Sequence, residues 1–328
     1  MSKKILMVID DIELKYFEFN DLVTNFWIIK EYLERGYLVS IAIKGDLFIK
    51  NNKGYSLTYP VYLENGNIYY KKSEQKETDI NEFDIVYFRP DPPVDIDYIN
   101  ACYVFDFINH KKTKVVNNPK SILDFNEKLH GNLFPQYIPK NIITANINLI
   151  KDFVKENKEA IIKPLNRCFG SGIYYLRFDD KNINSLINLS TNNEKTLVCV
   201  QEFLGKGQGG DKRAFIIGDK VYPVSLRKLP GKDDFRFNTH SDEYFQKEYL
   251  TEKEMIAAKE IAKYLKSQGI LMSALDLIDE KVTEINVTSP CYFFKEMNRL
   301  HNIQFQNHVM EHLIELTENE KTAQNENN

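Results

Sequence analysis

The sequence is poor in cysteine and in long apolar runs, and each shortage excludes a class of protein. It has four cysteines in 328 residues, at positions 102, 168, 199 and 291, and none stands in a Cys-x-x-Cys pair. This spacing argues against a disulfide framework or a zinc site and indicates reduced thiols, so we expect a cytoplasmic protein. The apolar runs are too short to span a bilayer, and MSKKILMVID is too short for a signal peptide, so we expect no membrane association.

The chain also lacks a strong charge of either sign and the signatures of a protein nucleophile. Its formal net charge is −4, with 43% hydrophobic and 27% charged residues. These values are ordinary for a globular protein, so we expect no nucleic-acid partner. Its six histidines lack metal-ligand spacing, and it has no Gly-x-Ser-x-Gly elbow. Nucleophilic catalysis by a side chain is therefore not expected.

The first third alternates strand and helix patterns, which predicts a βαβ arrangement with a parallel sheet. After the helix opened by Asn118-Pro119, which we expect to carry Asn126-Glu127-Lys128, strand pairs and helices follow with a capping box at Thr251. We therefore expect an α/β fold with α+β character in its C-terminal part. The expected units are an N-terminal domain, a central subdomain, a C-terminal subdomain and a flexible tail, at residues 1–122, 123–203, 204–317 and 318–328.

Two short strand patterns near residue 280 predict a tight hairpin. A three-residue turn at 279–281 would place Ile278 opposite Val282 and Asp276 opposite Glu284. The hairpin therefore brings two carboxylates together.

These carboxylates predict a cation site. Asp276 and Glu284 repel each other when they lie opposite on a ladder, and Asn286 projects from the same face two residues later. Three oxygen donors, two of them charged, suit a hard cation such as Mg²⁺, which takes one or two carboxylates plus substrate phosphates.

Other residues could hold an anion, and each has an ordinary alternative. Lys163 ends an apolar strand and could hold a phosphate, or it is a solvated lysine at a strand end. Gly170 and Gly172 could turn backbone N–H groups toward an anion, or they form a simple turn. Arg213 could stabilise phosphoryl charge, or it pairs with Asp211 at the surface. The chain has neither a Walker loop nor a Rossmann fingerprint.

Taken in order, these patterns resemble a known family. The matching strings are Arg89-x-Asp91-Pro92-Pro93, Asn118-Pro119-x-Ser121, Asn126-Glu127-Lys128-Leu129, Ile162-Lys163-Pro164-Leu165, Gly210-Asp211-Lys212-Arg213, Leu275-Asp276 and Thr283-Glu284-Ile285-Asn286-Val287-Thr288-Ser289-Pro290. Over about residues 5–316 the chain resembles the ATP-grasp superfamily and, within it, the bacterial type of glutathione synthetase.

The resemblance implies an ATP-grasp fold behind a Rossmann-like N-terminal pre-ATP-grasp domain. It also implies an ATP-dependent ligase that joins γ-glutamylcysteine to glycine through an acyl phosphate, with release of ADP and phosphate. The implied cofactors are ATP and Mg²⁺, with Mn²⁺ as an alternative. The implied partners are a dipeptide and an amino acid as substrates, and a homo-oligomer.

The resemblance further implies roles for single residues in binding ATP and metal. Those on ATP are Lys128 and Lys163 at the phosphates, Gly170 and Gly172 in the phosphate loop, Gln201, Glu202, Phe203 and Leu204 at the adenine, and Asp211 near the ribose. Those on the metal are Asp276, Glu284 and Asn286.

A second implied set acts on the substrates. Its members are Arg213, Arg236 and Asn238 at the acyl phosphate and tetrahedral intermediate, Asn286, Thr288 and Ser289 near the acceptor amino acid, and Arg89 near the donor peptide.

The chain departs from the family pattern at several points, which keeps other functions open. Arg167, Cys168 and Phe169 stand where the phosphate loop normally has glycine, and bulky residues such as Tyr292 and Phe293 follow Pro290. One alternative is therefore the same chemistry on a different donor or acceptor. A second is a nucleotide-binding regulator that has lost catalysis, and a third is a dinucleotide-dependent oxidoreductase.

Overall fold

The structure is a computed structural model that describes residues 2–168, 170–204, 210–230 and 242–325. The strands within these ranges are β1 (Lys4–Ile9), β2 (Leu38–Ile43), β3 (Leu47–Lys50), β4 (Lys53–Glu64), β5 (Asn67–Tyr70), β6 (Lys76–Asp79), β7 (Ile85–Phe88), β8 (Lys114–Val116), β9 (Asn141–Thr144), β10 (Glu159–Pro164), β11 (Tyr174–Arg177), β12 (Val198–Glu202), β13 (Asp211–Ile217), β14 (Lys220–Val221), β15 (Val224–Lys228), β16 (Phe245–Tyr249), β17 (Met272–Ile278) and β18 (Lys281–Asn286). The α-helices are α1 (Asp11–Lys15), α2 (Thr24–Glu34), α3 (Ile96–Val104), α4 (Pro119–Asp124), α5 (Ile147–Asn157), α6 (Ile183–Ser190), α7 (Glu252–Ser267), α8 (Phe294–His301) and α9 (Phe305–Asn325). None of these helices is long and apolar enough to cross a membrane.

The N-terminal sheet confirms the predicted βαβ arrangement and extends it. Strands β2, β1, β7 and β8 are parallel neighbours; α2 lies in the connection from β1 to β2, and α3 lies in the connection from β7 to β8. Strand β4 adds antiparallel to β2, and β3, β5 and β6 pair with β4. The sheet is therefore mixed, with a parallel part whose carboxyl edge carries side chains of the site.

The central unit is a four-stranded antiparallel sheet in the order β11-β10-β12-β9. Its core is a separate apolar cluster in which α5 and α6 pack on the strands through residues such as Ile150 and Ile187. Because β10 is antiparallel to both neighbours, Lys163 near its end lies opposite Cys199 of β12.

The C-terminal sheet runs β16-β15-β13-β17-β18 and is antiparallel throughout this path. Helix α7 begins at the predicted capping box, in which Thr251 and Glu254 bond each other's backbone, and buries Ile261 and Leu265. Two apolar clusters combine side chains of this sheet with side chains of the N-terminal sheet. The N-terminal and C-terminal sheets therefore share their apolar cores, whereas the central unit has an apolar core of its own.

The expectation that the helix opened by Asn118 carries Asn126-Glu127-Lys128 is wrong. Helix α4 ends at Asp124, so Asn126-Glu127-Lys128 lies beyond it in a turn, where the Asn126 side chain accepts the N–H groups of Lys128 and Leu129 at 3.0 and 3.1 Å. An asparagine that bonds the following backbone competes with helix continuation. At the C-terminus, α9 continues through Glu318 to Asn325. Glu318 accepts hydrogen bonds from Tyr37 and Lys3, so the expected boundary at residue 318 lies within this helix, and the flexibility of the tail stays a prediction.

Candidate active site

The hairpin of β17 and β18 brings its two carboxylates opposite each other, as predicted. Asp276 is the ladder partner of Glu284. The turn, however, has two residues, Asp279 and Glu280, with φ of 49° and 62°, which is the backbone of a type I′ hairpin. Ile278 therefore faces Lys281, and its predicted pairing with Val282 is wrong. A bulge beside Asp276 adds one residue to β18 and restores the Asp276–Glu284 pairing.

Asp276 lies in a buried cluster of charges. Arg213 donates from Nε and Nη2 to its two carboxylate oxygens at 2.8 and 2.7 Å, and Lys228 donates at 3.3 Å. Asn286 Nδ2 donates to the same carboxylate at 3.2 Å. Burial acts to raise the pKa of Asp276, but the charges of Arg213 and Lys228 outweigh it and hold the pKa well below its ordinary value. Asp276 is therefore a stable anion.

Asp211 belongs to the same cluster. Its Oδ2 lies 2.5 Å from Lys228 Nζ, while its Oδ1 is buried without a hydrogen-bond partner among the described residues. Burial, followed by the charge of Asp276, raises the pKa of Asp211 to about 7. The sequence pattern placed Asp211 near a ribose or in a surface pair with Arg213. In the structure it is buried and pairs with Lys228, a residue that the sequence analysis did not single out.

Glu284 is held by a different cation. Lys128 Nζ lies 2.6 Å from Glu284 Oε1 and donates to the backbone oxygen of Arg167 at 2.8 Å. Burial acts to lower the pKa of Lys128, but the carboxylates of Glu284 and Glu127 outweigh it and raise the pKa above its usual value. This lysine thus links the hairpin to the phosphate loop.

The hairpin side chains have the chemistry of a hard-cation site. Asp276, Glu284 and Asn286 bring carboxylate and amide oxygens to neighbouring strand positions, the donors that Mg²⁺ and Mn²⁺ prefer. In the described part of the chain, no group of three or more His, Cys, Asp or Glu side chains is arranged to hold a metal ion. Two carboxylates with an amide fit a cation whose remaining ligands are phosphate oxygens and water.

A narrow cleft separates β12 of the central unit from β18. Its volume is about 10 Å³, and its walls include Cys199, Gln201, Thr283, Glu284 and Lys128. Lys163 Nζ donates to Gln201 Oε1 at 2.8 Å and to the Thr283 oxygen at 3.4 Å. Lys128 therefore lines the cleft, and Lys163 bonds two residues that line it, Gln201 and Thr283.

The predicted adenine segment continues from the end of β12. Glu202 Oε1 accepts the backbone N–H of Lys140 at 2.9 Å, and the Phe203 N–H donates to the Glu159 oxygen at 3.3 Å. Gln201 is buried and Leu204 is half-buried. The segment is thus tied to β9 and β10 at the rim of the cleft.

The phosphate loop follows β10. Gly170 and Gly172 have φ of 69° and 73°, a conformation that L side chains adopt only with strain. A Cβ on Gly172 would lie 3.0 Å from Pro164 Cγ. The Ser171 N–H donates to the Cys168 oxygen at 3.0 Å. These glycines are required by the turn itself, whatever the loop binds.

A larger cavity of about 300 Å³ opens on the other side of Lys128. Its apolar wall comes from the N-terminal sheet's helices and loops, with residues such as Val94, Ile99 and Phe125. Thr288 and Glu127 also line it. Its volume is at the lower limit for pockets that bind small molecules, and the cavity adjoins the predicted acceptor residues.

Arg89 is buried at the carboxyl edge of the N-terminal sheet. It is 1% exposed and donates from Nε to Asn25 Oδ1 at 2.5 Å and from Nη2 to the Pro290 oxygen at 2.9 Å. Asn25 in turn donates to both oxygens of Glu13 at 3.1 and 3.0 Å, and burial raises the pKa of Glu13 to about 8. In this structure Arg89 holds the segment after Ser289.

Of the remaining predicted substrate residues, the structure describes Thr288 and Ser289. Ser289 Oγ accepts from Arg89 Nη2 at 3.5 Å, and Thr288 Oγ1 donates to Glu127 at 3.0 Å. Arg236 and Asn238 lie outside the described residues.

The three-part fold and the paired carboxylates beside a lysine-walled cleft define an ATP-grasp ligase. Among solved structures, D-cycloserine synthetase covers 96% of this chain with a TM-score of 0.67 at 12% identity. D-alanyl-alanine synthetase A from Vibrio cholerae covers 97% of it with a TM-score of 0.62 at 15% identity. Coverage of those chains is 100% in both cases. At such identities the likeness establishes the fold alone.

Sequence relatives then fix the family. The model of the prokaryotic glutathione synthetase N-terminal domain matches residues 4–122, and that of the ATP-grasp domain matches residues 127–302. The glutathione synthetase of Buchnera aphidicola subsp. Schizaphis graminum is 32% identical over 81% of this chain and 84% of its own. That of Vibrio parahaemolyticus is 32% identical over 81% and 85%. The chain belongs to the prokaryotic glutathione synthetase family and is an ATP-dependent carboxylate–amine ligase, a class that uses ATP with a divalent cation.

Proposed function

We propose that this ligase joins the cysteinyl carboxylate of γ-glutamylcysteine to the amine of glycine, with ATP converted to ADP and phosphate. The observation that carries the proposal is that two lysines contact the hairpin of paired carboxylates: Asp276 pairs with Glu284 on the ladder, Lys128 bonds Glu284, and Lys163 bonds the neighbouring Thr283 oxygen. The relatives are glutathione synthetases by name, and the substrates are those that the family resemblance implies.

The residues of the site suit a reaction through an acyl phosphate. A carboxylate accepts an amine at neutral pH only after its oxygen becomes part of a good leaving group. The carboxylate oxygen attacks the γ-phosphorus, the bond to the β-phosphate oxygen breaks, and ADP leaves. The amine then attacks the acyl carbon and loses a proton, and phosphate departs with the former carboxylate oxygen. No side-chain nucleophile takes part.

The cations of the site have distinct roles in this proposal. Lys128 and Lys163 neutralise the phosphates of ATP at the cleft. Arg213 stabilises the charge that develops on the acyl group, since its guanidinium lies at the hairpin beside Asp276. Arg89 acts on the donor peptide through the Ser289–Pro290 segment that it holds.

We assign Asp276, Glu284 and Asn286 to a Mg²⁺ ion, with Mn²⁺ as an alternative. Such an ion neutralises phosphate charge during transfer. Both carboxylates are bonded to cations of the protein, Arg213 and Lys228 on one and Lys128 on the other. The charges of Arg213 and Lys228 keep the Asp276 carboxylate ionised, as a metal ligand must be.

A different acceptor is a second candidate, and the cavity favours it. A space of about 300 Å³ with an apolar wall adjoins Thr288, whereas glycine has no side chain to fill it. An acceptor with an apolar side chain would use this wall.

The experiment that tests the assignment measures ADP release by the purified enzyme with ATP, Mg²⁺, γ-glutamylcysteine and glycine. We expect release that needs both substrates, and glutathione as the product by mass spectrometry. A parallel series replaces glycine with alanine, serine, valine or phenylalanine. Release with one of these but not with glycine would reject glycine as the acceptor. For variants of the carboxylates on the hairpin of β17 and β18, the matched control is Glu280→Gln, at a carboxylate of the same hairpin whose side chain is 39% exposed.

A further inference from the structure

Glu127 stands beside the phosphate-binding Lys128 but was given no role by the sequence pattern. One oxygen of its carboxylate, Oε1, accepts three hydrogen bonds. The donors are the backbone N–H of Val287 at 2.7 Å, the backbone N–H of Thr288 at 3.0 Å and the hydroxyl of Thr288 at 3.0 Å. Its own backbone oxygen accepts the N–H of Ile285 at 3.1 Å.

These contacts fix the exit of β18, where the chain leaves the ladder. Val287 and Thr288 lie past the last residue of β18, so their N–H groups have no strand partner in that ladder. Three hydrogen bonds on one oxygen leave the loop little freedom.

The neighbours of Glu127 hold other parts of the site. Asn126 Nδ2 donates to the Leu165 oxygen at 3.1 Å, in the phosphate loop. Lys128 bonds Glu284 of the hairpin. Three consecutive residues therefore hold three parts of the proposed site. Asn126 bonds the phosphate loop, Lys128 bonds the cation site, and Glu127 bonds Val287 and Thr288, the segment near the acceptor.

We propose that Glu127 is a positioning residue that sets the acceptor amine against the acyl phosphate by fixing Val287 and Thr288 through its Oε1 atom. The proposal rests on the proposed function for the identity of the acceptor. It acts through geometry: a reacting group misplaced by about 1 Å loses up to about 100-fold in rate. Glu127 itself does not touch the reacting atoms.

The test compares Glu127→Gln with Glu127→Asp. Glutamine keeps an acceptor oxygen at the same reach and removes the charge, whereas aspartate keeps the charge and is one bond too short. We expect Glu127→Gln to keep the acceptor KM within about threefold of the parent, and Glu127→Asp to raise it about tenfold or more. The KM for ATP should change less than about twofold in both.

Three results would overturn the proposal. One is an unchanged acceptor KM in Glu127→Asp. Another is a Glu127→Gln variant whose acceptor KM rises tenfold, since the charge would then matter more than the oxygen position. The third is an equal loss of affinity for ATP and for the acceptor, which is what a general structural defect gives. If Glu127→Asp does not fold, Glu127→Ala, which removes the acceptor oxygen altogether, takes its place with the same expected results.

A second readout does not depend on the substrates. Amide hydrogen exchange of Val287 and Thr288, measured without ligands, should be at least about tenfold faster in Glu127→Asp than in the parent and in Glu127→Gln. Exchange in β13 should stay unchanged. Equal exchange at Val287 and Thr288 in all three proteins would reject the role of Glu127. Absence of glycine-dependent turnover in the parent would reject only the acceptor assignment.

Discussion

The ion pair between Arg213 and Asp276 gives a stability prediction that can be worked out in detail. Both side chains are nearly buried, at 10% and 9% exposure, and two hydrogen bonds join them. Removal of one partner of a buried pair costs about 3–5 kcal/mol. In Arg213→Met the Asp276 carboxylate keeps Lys228 at 3.3 Å and Asn286 at 3.2 Å. These partners reduce the expected cost to about 2–3 kcal/mol.

The assay is thermal unfolding at pH 7 with a matched control. A loss of this size lowers Tm by about 3–4 °C, because the unfolding entropy of a 328-residue chain is about 0.7 kcal/mol/K. Arg177 pairs with Asp179 at 2.8 Å but both side chains are exposed, so Arg177→Met should cost about 0.5 kcal/mol or less. If Arg213→Met melts within 1 °C of Arg177→Met, roughly the error of such a scan, the argument from burial is refuted.

The same pair predicts a pH dependence. The pKa of Asp276 is lowered in the fold, so its contribution is complete above its unfolded value of about 3.9 and is lost as the pH falls through the folded value. The Tm difference between the parent and Arg213→Met should therefore narrow below about pH 4. The pKa of Asp211 is raised to about 7, so its effect on the pH dependence of stability has the opposite sign to that of Asp276. The parent and the variant are therefore compared at each pH. A gap that widens in acid would contradict the assignment.

Two further predictions concern the cation site and the phosphate loop. Glu284→Gln should lower turnover about 100-fold or more relative to Glu280→Gln while its far-UV circular dichroism stays that of the parent, because it removes a charge that would hold the cation. Its Tm should fall below that of Glu280→Gln, since Lys128 loses a buried partner; equal turnover in the two variants would contradict the cation assignment. Gly172→Ala should lower Tm and weaken nucleotide binding measured by calorimetry, because a Cβ there meets Pro164 at 3.0 Å. The control Gly36→Ala, at φ of 81° with no atom within 4 Å of a Cβ, should cost only about 1 kcal/mol of backbone strain and leave nucleotide affinity unchanged. Equal affinity in both glycine variants would show that the phosphate loop does not contact the nucleotide.

Local signals in the sequence predicted the helices whose N-termini are capped by a side chain. Asn118 caps α4 with its side chain, and Thr251 forms the capping box of α7, as their residue types indicated. The carboxylate pairing of Asp276 with Glu284 was also predictable from the strand period.

Strands β3 to β6 were not predicted, although turn signals bound them. Asn51 and Asn52 have φ of 52° and 60°, and Asn65 and Gly66 have φ of 51° and 77°, values that Asn and Gly adopt most readily in tight hairpins. Burial in β4 alternates only in part, since β4 pairs with several strands. Its period was therefore hard to read from the sequence.

The contacts that distant segments make in the site could not be read from local patterns. Lys228 meets Asp211 only because β13 and β15 are neighbours in register. Glu127 meets Thr288 across 161 positions of sequence. The bulge beside Asp276 is likewise visible only in the folded ladder. The predicted turn was one residue too long, and the bulge makes up for that residue, so Asp276 still pairs with Glu284.

The most direct test of the cation site is a crystal structure with Mn²⁺ and a non-hydrolysable ATP analogue, collected at the manganese edge. We predict an anomalous peak bounded by carboxylate oxygens of Asp276 and Glu284 and the amide oxygen of Asn286, and in contact with the phosphates. A nucleotide-bound structure whose manganese peak lies away from these three side chains would contradict the account.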